Sequence, residues 1–182
     1  MKSICIFLAT GFEEVEALFP LDILRRGGLE VKTVSVTGEK IVMGAHGVPV
    51  GADILFEDLN PENVEMIVLP GGLPGATNLD AHAGLDQLIM SFAEAKKPLS
   101  AICASPFVFG KRGLLKGKKA TCYPGFDPYL EGADYTGNKV EIADNIITGK
   151  GPGAAWEFGF AILEKYVGSE KAQEVRNGML ID

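Results

Sequence analysis

Apolar residues in this chain fall into short continuous runs, separated by segments in which they recur every three or four positions. That is the pattern of buried strands alternating with amphipathic helices. Ile4-Cys5-Ile6-Phe7-Leu8-Ala9 is the first run and predicts a buried strand. Val15, Leu18, Phe19 and Ile23 then recur near the helical period, with acids at Glu13, Glu14 and Glu16 and a close at Arg25-Arg26-Gly27-Gly28. Acids in the first turn and arginines with glycine in the last predict a helix, bent at Pro20. Val31 to Val36 reads as a second strand, so the opening is a β-α-β unit, which implies a parallel sheet with a right-handed crossover.

Residues 37 to 60 are less regular. Ile41-Val42-Met43 and Val48-Pro49-Val50 predict short strands around Gly44-Ala45-His46-Gly47, an excursion from the main sheet. Met66 to Leu69 is a buried strand that ends in Pro70-Gly71-Gly72-Leu73-Pro74-Gly75, a turn whose small residues admit close approach of other backbone. Leu79, Leu85, Leu88, Ile89, Phe92 and Ala93 place a helix between Thr77 and Lys97. Leu99 to Ile102 is again strand-like, followed by a helix from Pro106 to about Gly113 and a strand near Lys119 to Cys122. After a loop from Tyr123 to Tyr129, Lys139 to Ala143 and Asn145 to Thr148 predict a hairpin through Asp144-Asn145. Helices Pro152 to Val167 and Ser169 to Asn177 complete the chain.

The segment Leu99 to Gly110 organises the chemistry. Ser105-Pro106 is a helix-opening pair, because proline suits the first helical position, so Cys103 sits on the turn between a strand and a helix. A thiol there faces unpaired backbone N–H groups and the positive end of the helix dipole, both of which favour the thiolate. The alternative is a buried cysteine that only packs. Cys5, inside the first strand, is expected to be core; Cys122 is expected to be structural, on a strand beside that of Cys103.

Composition narrows the classes. The chain has 182 residues, 47% of them hydrophobic, enough for one well-buried domain over 1–182 and too few for two comfortable ones. Its 17 basic and 24 acidic residues give a net charge of -7 with no basic cluster beyond a pair, which argues against nucleic acid or anionic membrane as a partner. Three cysteines make no disulfide framework and none lies at metal-ligand spacing, so the expected setting is reducing and cytoplasmic, with no metal and no cofactor. The first apolar run is too short for a signal peptide core or a membrane span.

Other motifs carry less. Gly149-Lys150-Gly151-Pro152-Gly153-Ala154 fits a dinucleotide fingerprint, but no strand follows its helix, and a plain turn is the better reading. No phosphate loop and no G-x-S-x-G serine elbow occurs. His46 and His82 are read as surface or loop residues. Glu13, Glu14 and Glu16 are either solvated first-turn acids or part of a site. In an open α/β sheet, ligands gather at the carboxyl ends of strands, and the loop after the first strand, the Gly71-Gly72 turn and the Cys103 turn are three such ends.

Four motifs occur together and in order: Gly11-Phe12-Glu13-Glu14-Val15-Glu16, Leu69-Pro70-Gly71-Gly72, Ala101-Ile102-Cys103-Ala104, and the segment from Gly151 to Phe158. In this the chain resembles, over essentially its whole length, the DJ-1 branch of the ThiJ/PfpI superfamily. The resemblance implies a flavodoxin-like three-layer α/β/α sandwich with a mostly parallel sheet, a nucleophile-elbow cysteine and a homodimer. It matches Cys103 to the reactive cysteine and Glu16 to the acid hydrogen-bonded with it. Gly72 and Ala104 match the positions whose backbone N–H groups form an oxyanion hole. Gly71, Cys122, Tyr123 and Pro152 are further candidate pocket residues. A protonated Glu16 donating to a thiolate would hold the acid's pKa up and the thiol's down.

Two departures restrict the activity. Ala104 stands where the protease-like branch carries a histidine directly after the cysteine, so the general base of a peptidase is missing. Tyr123 stands where some relatives place a pocket histidine, and a phenol is a poor proton acceptor at neutral pH. The leading expectation is cofactor-free glyoxalase or deglycase chemistry on a small reactive carbonyl. The second is an oxidative-stress sensor and redox-regulated chaperone acting through oxidation of Cys103, and an amidase is a weaker third. Val15, Leu18 and Phe19 offer an apolar stripe to a partner copy or to the core.

Overall fold

The first apolar run forms β1 (Ser3–Leu8), and every one of its residues is buried. The computed structural model describes residues 2–181. Side chains of β1 alternate between the two faces of a sheet: Ile4, Ile6 and Leu8 join one apolar cluster, Cys5 and Phe7 the other. A strand apolar on both faces belongs in the middle of a covered sheet, and β1 lies there. The seven-stranded order is β10-β11-β7-β6-β1-β2-β5, built from β2 (Val31–Ser35), β5 (Ile54–Leu55), β6 (Val64–Leu69), β7 (Leu99–Ile102), β10 (Val140–Ala143) and β11 (Ile146–Gly149). All of these pairings are parallel except the β10–β11 hairpin, which turns at Asp144–Asn145 as expected.

Helices cover both faces. One layer is α1 (Glu14–Arg26) with α5 (Ala155–Gly178), the latter broken at Gly168, whose φ is +78°. The other contains α2 (Gly75–Ala81), α3 (Ala83–Glu94) and the short α4 (Pro106–Gly110). This is the flavodoxin-like α/β sandwich. The short strands β3 (Ile41–Met43) and β4 (Pro49–Gly51) pair antiparallel outside the main sheet.

Three elements differ from expectation. The helix placed between Thr77 and Lys97 is two helices, because His82 takes an extended backbone and its ring Nδ1 accepts the N–H of Leu85, capping α3. The helix from Pro106 stops at Gly110, and the chain turns at Gly113 with φ +70°. The strand expected to carry Cys122 beside Cys103 is only β8 (Lys119–Ala120), which pairs with β9 (Asp134–Tyr135) in a separate small sheet. The edge beside β7 is occupied by β11, whose hairpin partner β10 completes the sheet there. Cys122 follows β8 as irregular chain.

Candidate active site

Three parallel strands end side by side, and the chain leaving each bends over the same point. From β7 the next residue is Cys103, with φ +66°, a left-handed backbone rare for anything but glycine. Such strain costs of order 1–3 kcal/mol and persists only when the surroundings fix it. Here they do. The Cys103 N–H donates to Gly149 O (2.9 Å), its carbonyl accepts from the Tyr123 N–H (2.8 Å), and the Ser105 hydroxyl donates to Pro70 O (2.6 Å).

The acid comes from α1. Glu13 precedes the helix, and its carboxylate accepts from the Glu16 N–H (2.8 Å) while its own N–H donates to Gly71 O (2.9 Å). The helix start is thereby tied to the turn after β6. Glu16 is completely buried, so it is not a solvated first-turn acid. Its Oε2 accepts from the Gly71 N–H (2.9 Å), and its Oε1 is buried with no hydrogen-bond partner. A buried polar atom left unpaired costs free energy, which makes Oε1 ready to engage a bound molecule.

Gly71 shows how tightly the groups converge. A Cβ there would stand 2.6 Å from Cys103 Cβ, 2.6 Å from Glu16 Oε2 and 3.0 Å from Cys103 Sγ, so only glycine leaves room for thiol and carboxyl together. Gly72 has φ +86°, and a Cβ on it would come within 2.5 Å of Glu13 N and Gly11 O. The N–H groups of Gly72 and Ala104 lie near enough to the Cys103 thiol to favour its ionised form.

Burial, with a smaller push from the Glu13 charge, raises Glu16 to about 7 against hydrogen bonds from Cys103 and Gly71 that lower it. The direction expected for Glu16 holds, but its cause is burial, since the Cys103 hydrogen bond lowers the acid. The direction expected for Cys103 does not hold: burial first, then the Glu16 carboxylate, push the Cys103 thiol up, against the pull of the Gly72 and Ala104 N–H groups. The two groups titrate as one pair, and with the thiol pushed up and Glu16 at about 7, the first proton the pair loses near neutrality is the acid's.

The remaining candidates divide. Tyr123 and Pro152 line a groove of about 380 Å³ with Pro124, Lys139, Lys150 and the Gly151–Ala154 turn. Its Tyr123, and Gly149 one residue before its Lys150, are the backbone hydrogen-bond partners of Cys103. Cys122 is fully buried, with burial and then Asp127 raising its thiol to about 12. Cys5 is also pushed up to about 12 by burial.

Sequence reasoning missed the role of Glu14. It is buried, accepting from the His46 N–H (2.7 Å) and pairing with His46 Nδ1 (2.8 Å), which pins the β3–β4 hairpin to α1. Burial raises the Glu14 pKa, but the His46 contacts outweigh it and leave the acid lowered and His46 raised. Glu13, Glu14 and His46 bring three metal-ligating atoms within 4.8 Å of one another, which the spacing of residues 13, 14 and 46 does not announce. Lys139 and Lys150 in the groove were equally silent.

Residues 2–165 match the DJ-1/PfpI family. Protein DJ-1 homolog B of Arabidopsis thaliana is 38% identical over 99% of this chain, which spans only 42% of that protein's length. A Caenorhabditis elegans protein named a glutathione-independent glyoxalase is 34% identical over 90% of this chain and 87% of its own. The structure of oxidized Toxoplasma gondii DJ-1 superimposes with a TM-score of 0.93 at 34% identity, covering 99% of this chain and 98% of that one.

Proposed function

This chain belongs to the DJ-1/PfpI family, and from that premise we propose that it is a cofactor-independent enzyme converting reactive 2-oxoaldehydes to 2-hydroxy acids. One observation carries the reading: a completely buried glutamic acid, with a pKa near neutrality and one unpaired oxygen, meets a cysteine on a strained turn. The C. elegans relative named a glyoxalase supports it.

With methylglyoxal the steps are these. As the thiolate of Cys103 adds to the aldehyde carbon, the developing oxyanion is held by the Gly72 and Ala104 N–H groups and takes a proton from Glu16. The resulting Glu16 carboxylate removes the hydrogen from that same carbon, the hydroxyl proton passes to the neighbouring carbonyl oxygen in the enediol, and Glu16 then protonates the neighbouring carbon, converting the hemithioacetal into a lactoyl thioester. Water then releases lactate and regenerates the thiol. Removal of early carbonyl adducts from proteins or nucleotides, the deglycase activity, would use the same residues.

A second reading shares the pocket. Cys103 would oxidise to the sulfenic and then the sulfinic state, with the free Glu16 Oε1 hydrogen-bonding the added oxygen, in a sensor and redox-controlled chaperone. The Toxoplasma relative, solved as oxidized, favours it. In either role we place the protein in the cytoplasm, consistent with three free cysteines. Among the described residues no helix is long and apolar enough to cross a membrane. We also propose a homodimer through α1, where Val15 is exposed and Leu18 and Phe19 are half-buried.

The test is methylglyoxal consumption by reduced protein with lactate measured in parallel. Many lactates per protein, lost in Cys103→Ser and Glu16→Gln, establish the enzyme. One equivalent taken up without lactate transfers the weight to the sensor.

A further inference from the structure

The groove beside Cys103 holds an electrostatic imbalance that the reaction above does not use. Val140 pairs with Gly149 in the β10–β11 hairpin, and the Lys150 N–H continues the ladder onto Lys139 O (2.9 Å). Lys139 and Lys150 are therefore direct cross-strand neighbours, with side chains on one face of the hairpin. Like charges placed so are destabilising, and only one of the two is neutralised. Lys139 pairs with Glu157 and lies over the Trp156 ring. Lys150 is half-buried and pairs with no carboxylate among the described residues; its Nζ donates once, to Gly137 O (2.9 Å). An ammonium has three donors, so two remain, on a charge already fixed in place by that bond.

Both lysines line the groove, and no acid does. Its other walls are the Tyr123 ring, Pro124, Pro152 and the Gly151–Gly153 backbone, which suit a short carbon chain. Tyr123 in its wall, and Gly149 next to its Lys150, are the two hydrogen-bond partners of the Cys103 backbone. In a chain of net charge -7, a cleft lined only by positive charge is a selective feature.

We propose that this groove is an anion subsite, and that the substrates it selects are 2-oxoaldehydes carrying a carboxylate or phosphate, held by Lys150 with Lys139 in support. This rests on the carbonyl-enzyme reading. The anion restores charge balance at the lysine pair while the aldehyde end reaches the thiol. Methylglyoxal, with no such group, leaves the subsite unused.

Two arms test the subsite, only one of which needs turnover. In the first, kcat/KM is compared for 4,5-dioxopentanoate and for its uncharged counterpart of equal length, 2-oxopentanal. A preference for the anion of about tenfold is expected, from a charge-assisted hydrogen bond worth about 1.5 kcal/mol or more. That ratio should collapse in Lys150→Gln, fall less in Lys139→Gln, and survive in Lys116→Gln, a lysine outside the groove. Competition by inorganic phosphate and by acetate tells the two anion types apart, the stronger inhibitor marking the better fit. A ratio near one, or one unmoved by Lys150→Gln, overturns the subsite while leaving the enzyme intact. In the second arm, binding of 4-oxopentanoate, which lacks the aldehyde, is followed by NMR on the Cys103→Ser protein. Binding that disappears with Lys150→Gln upholds the subsite even if no oxoaldehyde is turned over, and absence of binding refutes it.

Discussion

Cys103 and Cys122 are both buried free thiols, and the Tyr123 N–H ties the chain next to one onto the carbonyl of the other. Their surroundings differ in kind. Cys122 is packed among apolar residues such as Leu115, Ala120 and Leu130, with Asp127 as its nearest charge influence, and burial simply suppresses its ionisation. Cys103 is buried too, but it has two N–H groups near enough to favour its ionised form, an acid able to exchange a proton with it, and a backbone held at φ +66°. Burial decides that a thiol is quiet at rest. The groups around it decide whether it can react.

The contrast between the two thiols is most exposed to substitution at the sulfurs themselves. Cys103→Ser should reduce lactate formation from methylglyoxal by about a thousandfold or more, since the nucleophile is gone. Cys122→Ser should stay within about twofold, losing stability instead by about 1–3 kcal/mol for a hydroxyl in an apolar pocket. Parallel steady-state rates and urea titrations separate the two. Comparable activity losses would erase the distinction.

Next in size is Glu16→Gln. It keeps the shape of the side chain but can neither give nor take the shuttled proton, and a drop in kcat of about 10²–10⁴-fold is expected. A loss confined to KM would assign Glu16 to binding alone.

Stability against pH sharpens the same point without substrate. Glu16 has a folded pKa near 7, raised from 4.5, so between those values the folded state holds more protons than the unfolded. The acid's contribution is then at its most favourable below pH 4.5 and is lost as pH rises to about 7, by about 3 kcal/mol in all. Lowered acids such as Asp53 and Asp80 push the other way, so the quantity to measure is the difference between the protein and Glu16→Gln. The variant should gain relative to the protein across that window. Parallel curves would contradict the burial argument.

Smallest is the glycine pair under the site. Gly72→Ala must place a Cβ against the Glu13 and Gly11 backbone at φ +86°, and calorimetry should register a loss of about 1–3 kcal/mol.

Much of this architecture is legible in the sequence, for physical reasons. Continuous apolar runs mark β1, β6 and β7 because strands covered on both faces need them, and Ser105-Pro106 marks the turn that carries Cys103. The break between α2 and α3 is not legible, since it depends on a histidine ring acting as a cap. Nor is the true neighbour of β7, because strand order is set by tertiary pairing and the β10–β11 hairpin takes the place expected for the Cys122 strand. Periodicity leaves Glu13, Glu14 and Glu16 equivalent, and only the family resemblance singles out Glu16. In the folded chain the three acids part ways, as Glu13 caps the helix, Glu14 holds the hairpin and Glu16 enters the site.

The central claim is that Cys103 and Glu16 share a proton and pass it between adjacent carbons. Running the reaction in D₂O and recording the proton NMR of the lactate tests it most directly. The proton that Glu16 takes from the aldehyde carbon exchanges with solvent while the enediol lasts, so lactate should carry deuterium at C2. Lactate with its C2 hydrogen fully retained would contradict an exchanging carrier at Glu16, the form of the shuttle put forward here.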